Sequence, residues 1–201
     1  MKSKWKPIAT IALALSLAGT GVVYAASWRD TAVGVSVNGS RVSFGDGVGA
    51  HLVEGSVVLP LRKMADSLLA MVSWQSGEAK IYRPNVHLVV AEEVTREGDS
   101  YTIEHPFGKI SQGSRKKFTV FAQIDGLRTD IESFRLRVLT PGGAVADDSG
   151  ALQAGSSVNN FWSLYGFKVD FDSAGEYKVQ MLMKLPGEAE TVVAEKAILC
   201  E

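Results

Sequence analysis

The pattern of hydrophobic and polar residues divides the chain into three stretches. An apolar run over residues 8–18 follows three lysines and precedes small residues that end at Ala25. Residues 33–92 then combine alternating, strand-like segments with one segment of helical spacing. From residue 99 onward only strand-like segments recur, separated by turns rich in Gly, Asp and Pro. The pattern therefore predicts a leader, a small α+β unit and an all-β unit.

The leader has the form of a secretory signal peptide, which we predict to span residues 1–25. Its charged start, apolar centre and small residue at Ala25 follow the usual order. The apolar run is shorter than the roughly 20 residues that a membrane-spanning helix needs. An uncleaved N-terminal anchor is the alternative. We therefore expect a secreted, extracellular protein that is released or held at the cell wall by non-covalent contacts.

Residues 33–92 predict a hairpin, a strand, one helix and a second hairpin. Asn38-Gly39 lies between alternating segments and is a strong signal for a two-residue hairpin turn. Pro60 is expected to open the helix in its first turn, where its missing N–H is tolerated. Segments 71–74 and 79–82 flank the turn Ser76-Gly77. The helical face comprises Leu61, Met64, Ala65, Leu68 and Leu69.

The polar run over residues 92–100 predicts the domain boundary, and residues 99–201 predict an antiparallel immunoglobulin-like β-sandwich. Its expected strands cover residues 101–103, 117–124, 134–139, 161–170, 176–185 and 190–199. Asp172, Gly175 and Tyr177 resemble the tyrosine corner of such sandwiches. Val179 stands where a disulfide cysteine would be, which indicates the disulfide-free branch of the fold. The predicted fold class is therefore mainly β, with a small α+β module before the sandwich.

The motifs of the first module resemble a known family. Residues 35–39 (VSVNG), 58–62 (VLPLR) and 72–74 (VSW) occur in the order and spacing of the copper amine oxidase N-terminal domain-like, or stalk, domain. That domain is found in secreted proteins of Gram-positive bacilli, and the resemblance covers residues 33 to about 83. It implies a protruding accessory module on an extracellular protein. The family name establishes no activity for this module, because the copper and the tyrosine-derived cofactor of the true oxidases sit in a separate large catalytic domain. One departure is Leu69, which stands where the family has a helix-end glycine.

Composition and charge narrow the function classes. Apolar residues make up 46% of the chain and charged residues 21%, which is ordinary for a folded protein. Without the three leader lysines, 18 basic residues remain against 22 acidic ones. This acidic balance argues against binding of nucleic acid or anionic membranes, which requires a basic surface.

Residues that could support catalysis or metal binding are few and scattered. His51, His87 and His105 have no ligand spacing, which leaves a copper or zinc site only if folding brings them together. Residues 170–175 begin like a calcium loop, but Met181 cannot supply its final carboxylate. Residues 147–150 could hold a weak calcium ion or form a solvated turn. No nucleophile or phosphate-binding motif occurs, so we predict no enzymatic activity, no cofactor and no metal site.

Two segments are candidate binding surfaces. In the stretch 161–167, alternation puts Tyr165 on one strand face and Trp162 on the other, so that Trp162 suits sugar stacking or a protein contact if its face is exposed. Core packing of these aromatic residues is the alternative. Arg115, Lys116 and Lys117 form a basic run that is expected either to guard a sheet edge or to touch anionic wall polymers.

We predict a secreted, non-enzymatic cell-surface or cell-wall-associated binding or spacer protein. Its partner would be an unknown protein or a cell-wall polymer. The alternative is an extracellular inhibitor or enzyme accessory subunit that acts through sandwich loops such as residues 142–160. A further alternative is a subunit of an envelope assembly. The only cysteine, Cys200, lies next to the chain end and is expected to be an incidental thiol or to form an intermolecular disulfide.

Overall fold

The first part of the chain folds into short strands and one helix. The computed structural model describes residues 31–45, 49–154 and 159–201, so the predicted signal peptide lies outside the described residues. The elements are β1 Thr31–Ala32, β2 Ser36–Val37, β3 Ser40–Arg41, β4 His51–Val53, β5 Ser56–Val58, α1 Leu61–Ser67, β6 Met71–Gln75 and β7 Glu78–Tyr82. The strands form three small antiparallel sheets with the orders β1-β4-β5, β2-β3 and β6-β7.

The hairpin turns of this module follow from residues that tolerate positive φ. Asn38 and Gly39 have φ of 51° and 80°, and Ser76 and Gly77 have 53° and 80°. Two consecutive positive φ angles are the geometry of the tight hairpin turn that matches strand twist. Both predicted turns are therefore confirmed. The structure adds a third hairpin, between β4 and β5, whose turn contains Gly55.

The single helix of the described residues is short and begins one residue later than predicted. Pro60 is extended, with φ −63° and ψ 110°, and precedes the helix instead of forming its first residue. Leu69 follows the helix in the left-handed region at φ 56°, a conformation that favours glycine. In the part of the chain that the structure describes, no helix has the length and apolar character needed to cross a bilayer.

The second part is a sandwich of two sheets. The strands are β8 Asn85–Glu97, β9 Ser100–Pro106, β10 Lys109–Ile110, β11 Ser114–Asp125, β12 Ser133–Leu139, β13 Val145–Asp148, β14 Phe161–Phe171, β15 Gly175–Lys184 and β16 Glu190–Cys200. One sheet has the order β14-β11-β8-β9 and the other β10-β16-β15-β12-β13, and all pairs except β10–β16 are antiparallel. The predicted fold class is therefore confirmed.

Around the predicted boundary at residues 92–99, the chain is paired as strands. The polar run over residues 92–100 is a hairpin between β8 and β9, because its charged side chains lie at exposed strand positions and Gly98 supplies the turn. The strand β8 begins at Asn85, and its first half pairs with β11 in the four-stranded sheet. The division of the chain at residues 92–99 stays a prediction.

Both sheets bury their inner faces in one continuous core, and a predicted corner closes it. The backbone N–H of Ser173 donates to the hydroxyl oxygen of Tyr177 at 3.2 Å. Tyr177 and Val179 are both buried. This is the tyrosine corner of immunoglobulin-like sandwiches, in which the hydroxyl ties the strand to backbone just upstream.

The C-terminal end of the chain is firmly held, although chain ends commonly fray. Glu201 donates its backbone N–H to the Ile110 carbonyl at 3.1 Å and accepts from Lys109 Nζ at 2.8 Å. Cys200 is only 1% exposed, and its Sγ donates to the Phe171 carbonyl at 3.6 Å. An intermolecular disulfide through Cys200 would require the end of β16 to open, because the thiol is sealed inside the sandwich.

The predicted long loop at residues 142–160 is only partly a loop. Its first part forms β13, and Leu152 makes a two-way backbone pair with Phe134 at 2.8 and 2.9 Å. Residues 155–158 lie outside the described residues. The described part of this segment is therefore bound to the sandwich.

The first module contacts the sandwich through apolar and ionic groups. Met71 is buried in the sandwich core, and Tyr82 packs against it. Arg62 Nη1 donates to Glu188 Oε2 at 3.1 Å, and it lies 3.4 Å from the Val72 carbonyl oxygen. Arg62 therefore meets both a carbonyl and a carboxylate.

Candidate functional site

The strand β14 presents different residues on its two faces, as its alternation predicts. Phe161, Tyr165 and Phe167 turn toward the core, and Trp162 and Leu164 turn outward with 48% and 37% of their surface exposed. Tyr165 is half-buried, with its ring centroid 4.8 Å from that of Phe167. Trp162 and Tyr165 therefore cannot form one surface, because successive residues of even and odd number face opposite sides of the sheet.

The β8–β9 hairpin bends back over the outer face of its own sheet. β8 pairs with β11 only as far as Ala91, and Tyr101 lies near the far tip of the hairpin, opposite Arg96. A straight hairpin would carry Tyr101 well past the middle of β11. Its ring centroid nevertheless lies 5.2 Å from that of Phe121, in the middle of β11. The hairpin must therefore curl over the sheet.

This bend brings three aromatic rings together on the outer face. The centroid of Tyr101 lies 5.0 Å from that of Trp162 in an edge-to-face arrangement with an interplanar angle of 77°. Trp162 also lies 6.1 Å from Phe121. The guanidinium carbon of Arg96 sits 5.6 Å above the Tyr101 ring, and Arg96 Nε donates to the Gly98 carbonyl at 2.8 Å. These contacts fix the exposed indole in place.

An open pocket of about 520 Å³ adjoins the indole of Trp162. Gln123 Nε2 donates to Asp125 Oδ2 at 3.0 Å, and Asn160 Oδ1 accepts from the Gly126 N–H at 2.9 Å. These two bonds orient the amide of Gln123, the carboxylate of Asp125 and the amide of Asn160 beside the indole ring. The pocket is lined by Arg96, Tyr101, Gln123, Asp125, Asn160, Phe161 and Trp162. We call it the Trp162 pocket.

The Trp162 pocket combines an aromatic face with amide and carboxylate groups. An aromatic face beside amide and carboxylate groups can take a ring with one apolar face and several hydroxyl groups. Its carboxylate, Asp125, faces Gln123, and among the residues that the structure describes no second carboxylate, histidine or cysteine lines the pocket.

The basic run does not form one patch. Arg115 points to the outer face, where its Nε and Nη2 both donate to the carboxylate of Asp170, the second at 2.6 Å. This hydrogen-bonded pair lowers the pKa of Asp170 and raises the pKa of Arg115. A lysine pair remains beside it, since Lys117 lies opposite Lys168.

Lys116 points the other way, toward the edge of the core. Its Nζ donates to Glu92 Oε1 at 2.6 Å and sits 4.8 Å from the ring centroid of Phe107. The hydrogen bond from Lys116, assisted by its charge, lowers the pKa of Glu92. Two of the three basic residues are therefore engaged in ion pairs on opposite faces, because consecutive strand residues alternate.

The other candidate metal ligands do not come together in one site. Asp147 Oδ2 accepts from the Lys168 N–H at 2.9 Å, and Asp148 forms an ion pair with Arg135 at 3.2 Å. His87 contacts Asn85, and His105 lies beside Glu92. Within residues 31–45, 49–154 and 159–201, no three His, Cys, Asp or Glu side chains are grouped as metal ligands.

Sequence reasoning identified Trp162 but missed the residues that complete its pocket. Tyr101 and Arg96 lie some 60 residues earlier in the chain and reach Trp162 only because the hairpin bends. The one available signal was Phe121, an aromatic residue at an outward position of β11. No local pattern marks Gln123 or Asn160 as a partner of the indole.

Comparison with known proteins gives structural similarities at low sequence identity. The CARDB domain of a Pyrococcus furiosus protein, solved with di-metal ions, is 10% identical with a TM-score of 0.32, covering 59% of this chain and 90% of that one. The PmoD soluble domain of a Methylocystis species is 12% identical, with a TM-score of 0.31 and coverage of 65% and 97%. An immunoglobulin-like protein of Pseudomonas aeruginosa is 17% identical, with a TM-score of 0.33 and coverage of 59% and 95%.

No family model matches the chain, and no curated protein matches it in sequence. The resemblance of residues 33–83 to the stalk domain therefore has no support from a family model. The immunoglobulin-like fold rests on the sheet pairing and on the Tyr177 corner.

Proposed function

We propose that this chain is a secreted, non-enzymatic protein that binds a cell-wall polysaccharide through the Trp162 pocket. The observation that carries the proposal is the half-exposed indole of Trp162, held edge-to-face by Tyr101 above a polar-lined pocket. The first module, with its resemblance to a stalk domain of Gram-positive secreted proteins, would act as a spacer. The predicted signal peptide supports export.

The indole is presented in a prearranged position. A large aromatic side chain on a sheet surface normally gains by being covered. Here Phe121 lies below Trp162 and Tyr101 lies beside it, so the ring keeps one position while about half of its surface faces solvent. A site that is ordered before binding loses little conformational entropy on association, which favours affinity.

The polar groups of the pocket select a sugar over a purely apolar ligand. Asp125 offers carboxylate oxygens, and Gln123 and Asn160 contribute amide groups at the rim. Hydroxyl groups of a pyranose ring can donate to the carboxylate and accept from the amides while the ring's C–H face lies on the indole. Arg96 adds a positive charge, which suits a polymer that carries carboxylate or phosphate groups.

The test is retention of the purified protein on insoluble cell-wall polysaccharide. Trp162→Ala is expected to weaken binding about tenfold or more, which corresponds to the ~1.4 kcal/mol of an aromatic contact. Trp74→Ala is the matched control, because Trp74 is 65% exposed and lies on the first module, away from the pocket. Trp162→Phe should retain part of the binding, since it keeps a flat ring.

Three further outcomes test the proposal. Gln123→Ala should weaken binding by a smaller factor, because it removes one rim amide and leaves the rings in place. Equal retention of the natural chain and Trp162→Ala would overturn the proposal. So would an equal loss for Trp74→Ala, which would indicate nonspecific adhesion of exposed aromatic residues.

A further inference from the structure

The strand β14 forms one edge of the four-stranded sheet, and half of that edge is bare. β14 pairs with β11 on one side only. Natural sheets protect such edges with charged residues, bulges or covering segments. The half from Phe161 to Gly166 has no charged residue and pairs with β11 without a register shift. Among the described residues, no backbone group bonds to its outer side.

The direction of the backbone groups along this edge follows from two contacts. The N–H of Lys168 donates to Asp147 Oδ2 at 2.9 Å, so the polar groups of Lys168 point away from β11. In an antiparallel strand, alternate residues direct both groups to the same side. Trp162, Leu164 and Gly166 therefore also point their N–H and C=O outward.

A contact at the opposite edge of the sheet confirms this direction. The N–H of Phe107 donates to the Val90 carbonyl at 3.0 Å, so even-numbered residues of β8 face β9. Odd-numbered residues of β8 then bond to β11, in the register Val89↔Phe121. On β11, the residues that do not bond to β8 bond to β14. The same alternation on β14 leaves the N–H and C=O groups of its even-numbered residues pointing away from β11.

We propose that two copies of this chain pair antiparallel through these edges and join their four-stranded sheets into one. The register of this pairing is determined by the outward backbone N–H and C=O groups of β14 that are not already hydrogen-bonded. β14 begins at Phe161, and the N–H of Lys168 is already taken by Asp147. Only the alignment centred on Leu164 uses Trp162, Leu164 and Gly166 of both copies. Leu164 then faces Leu164 of the second copy, and Trp162 faces Gly166.

The side chains of this edge complement themselves in that register. Gly166 has no Cβ, and the space where one would stand is open to 4 Å, so no side chain at this position obstructs the facing strand of the second copy. Two leucines meet at the centre, and the charged residues Lys168 and Asp170 fall outside the paired segment. The occupant that best fits this edge is therefore a second copy.

Sedimentation velocity over a range of concentrations tests the pairing. The natural chain is expected to form dimers, and Leu164→Lys should raise the dimer dissociation constant at least tenfold by opposing two lysines. Leu199→Lys is the matched control. Leu199 is 38% exposed against 37% for Leu164, but it lies on β16 between two neighbouring strands. A natural chain that stays monomeric overturns the proposal, and so does equal dissociation by both variants.

Cysteine cross-linking tests the register. Leu164→Cys should give a disulfide-linked dimer, because facing residues in such pairs lie about 5.5 Å apart at Cα. Trp162→Cys and Gly166→Cys should cross-link only when the two variants are mixed, since like positions are four residues out of register. Cys200 is buried and adds no background. Equal cross-linking at all three positions in unmixed samples would show random collision and refute the register.

Discussion

The sandwich and the first module differ most in how much apolar surface they bury for themselves. The sandwich packs both inner sheet faces into a continuous core that includes Phe118, Leu136 and Tyr177. The separate buried cluster of the first module consists of Ala65, Ala70 and Val72. Most of the large exposed apolar residues of the described chain lie between Leu52 and Ile81. Small units bury too little surface to be stable alone.

This difference indicates that the first module depends on the sandwich for its stability. Met71 and Tyr82 place their side chains against the sandwich core, and Arg62 reaches Glu188 in the turn between β15 and β16. Its own buried cluster contributes only two alanines and one valine. We therefore expect stability to reside in the sandwich, with the module held by contact.

The largest expected effect is a cavity in the sandwich core. Leu136→Ala, at a fully buried position, should lower the free energy of unfolding by about 3–4 kcal/mol. The same change at Leu61, which is 41% exposed on the module, should cost less than about 1 kcal/mol. Guanidinium denaturation followed by fluorescence measures both. Equal losses would contradict the contrast between the two regions.

The next effect concerns the tyrosine corner. Tyr177→Phe removes the hydroxyl that accepts from the Ser173 N–H and should lower the free energy of unfolding by about 1 kcal/mol. Tyr165→Phe, at a half-buried ring in the facing sheet, is the control and should change it by a few tenths at most. A neutral result at Tyr177 would show that the corner does not contribute to the stability of the sandwich.

A stabilising change is expected at the end of the helix in the first module. Leu69→Gly should raise the unfolding free energy by about 0.5–1 kcal/mol, because glycine adopts φ 56° without the strain of a side chain. Leu68→Gly is the control, since Leu68 has φ −100° and gains nothing from glycine. If the module unfolds separately from the sandwich, differential scanning calorimetry should show the shift in its transition alone.

The smallest expected effect is the pH dependence of the stability of the sandwich. The hydrogen bond from Lys116 lowers the pKa of Glu92 in the folded chain, so the bond contributes to stability at neutral pH. It is lost as pH falls below the ordinary carboxylate range near 4, where the unfolded chain binds a proton first. Glu92→Gln should therefore lower the melting temperature slightly at pH 7 and leave it unchanged near pH 3. Glu176→Gln, at an exposed position of β15, is the control.

Much of the fold could be predicted because its signals are local. Asn38-Gly39 and Ser76-Gly77 prefer the positive φ angles that hairpins require, and the strands after residue 100 follow from alternation. The polar run over residues 92–100, which predicts the domain boundary, forms a bent hairpin, because a hairpin at a sheet edge also exposes most of its side chains. The position of Cys200 near the chain end gives no local sign that its side chain is buried.

The candidate site could be predicted only at Trp162, where strand alternation alone determines that one aromatic residue faces outward. The remaining contacts required the tertiary structure. Tyr101 meets Trp162 only after the β8–β9 hairpin bends over the sheet, and Lys116 meets Glu92 only across paired strands. The sequence by itself determined turns, strand faces and the Tyr177 corner, because these depend on neighbouring residues. Which distant residues share a surface was decided by sheet order and strand curvature, which no short pattern contains.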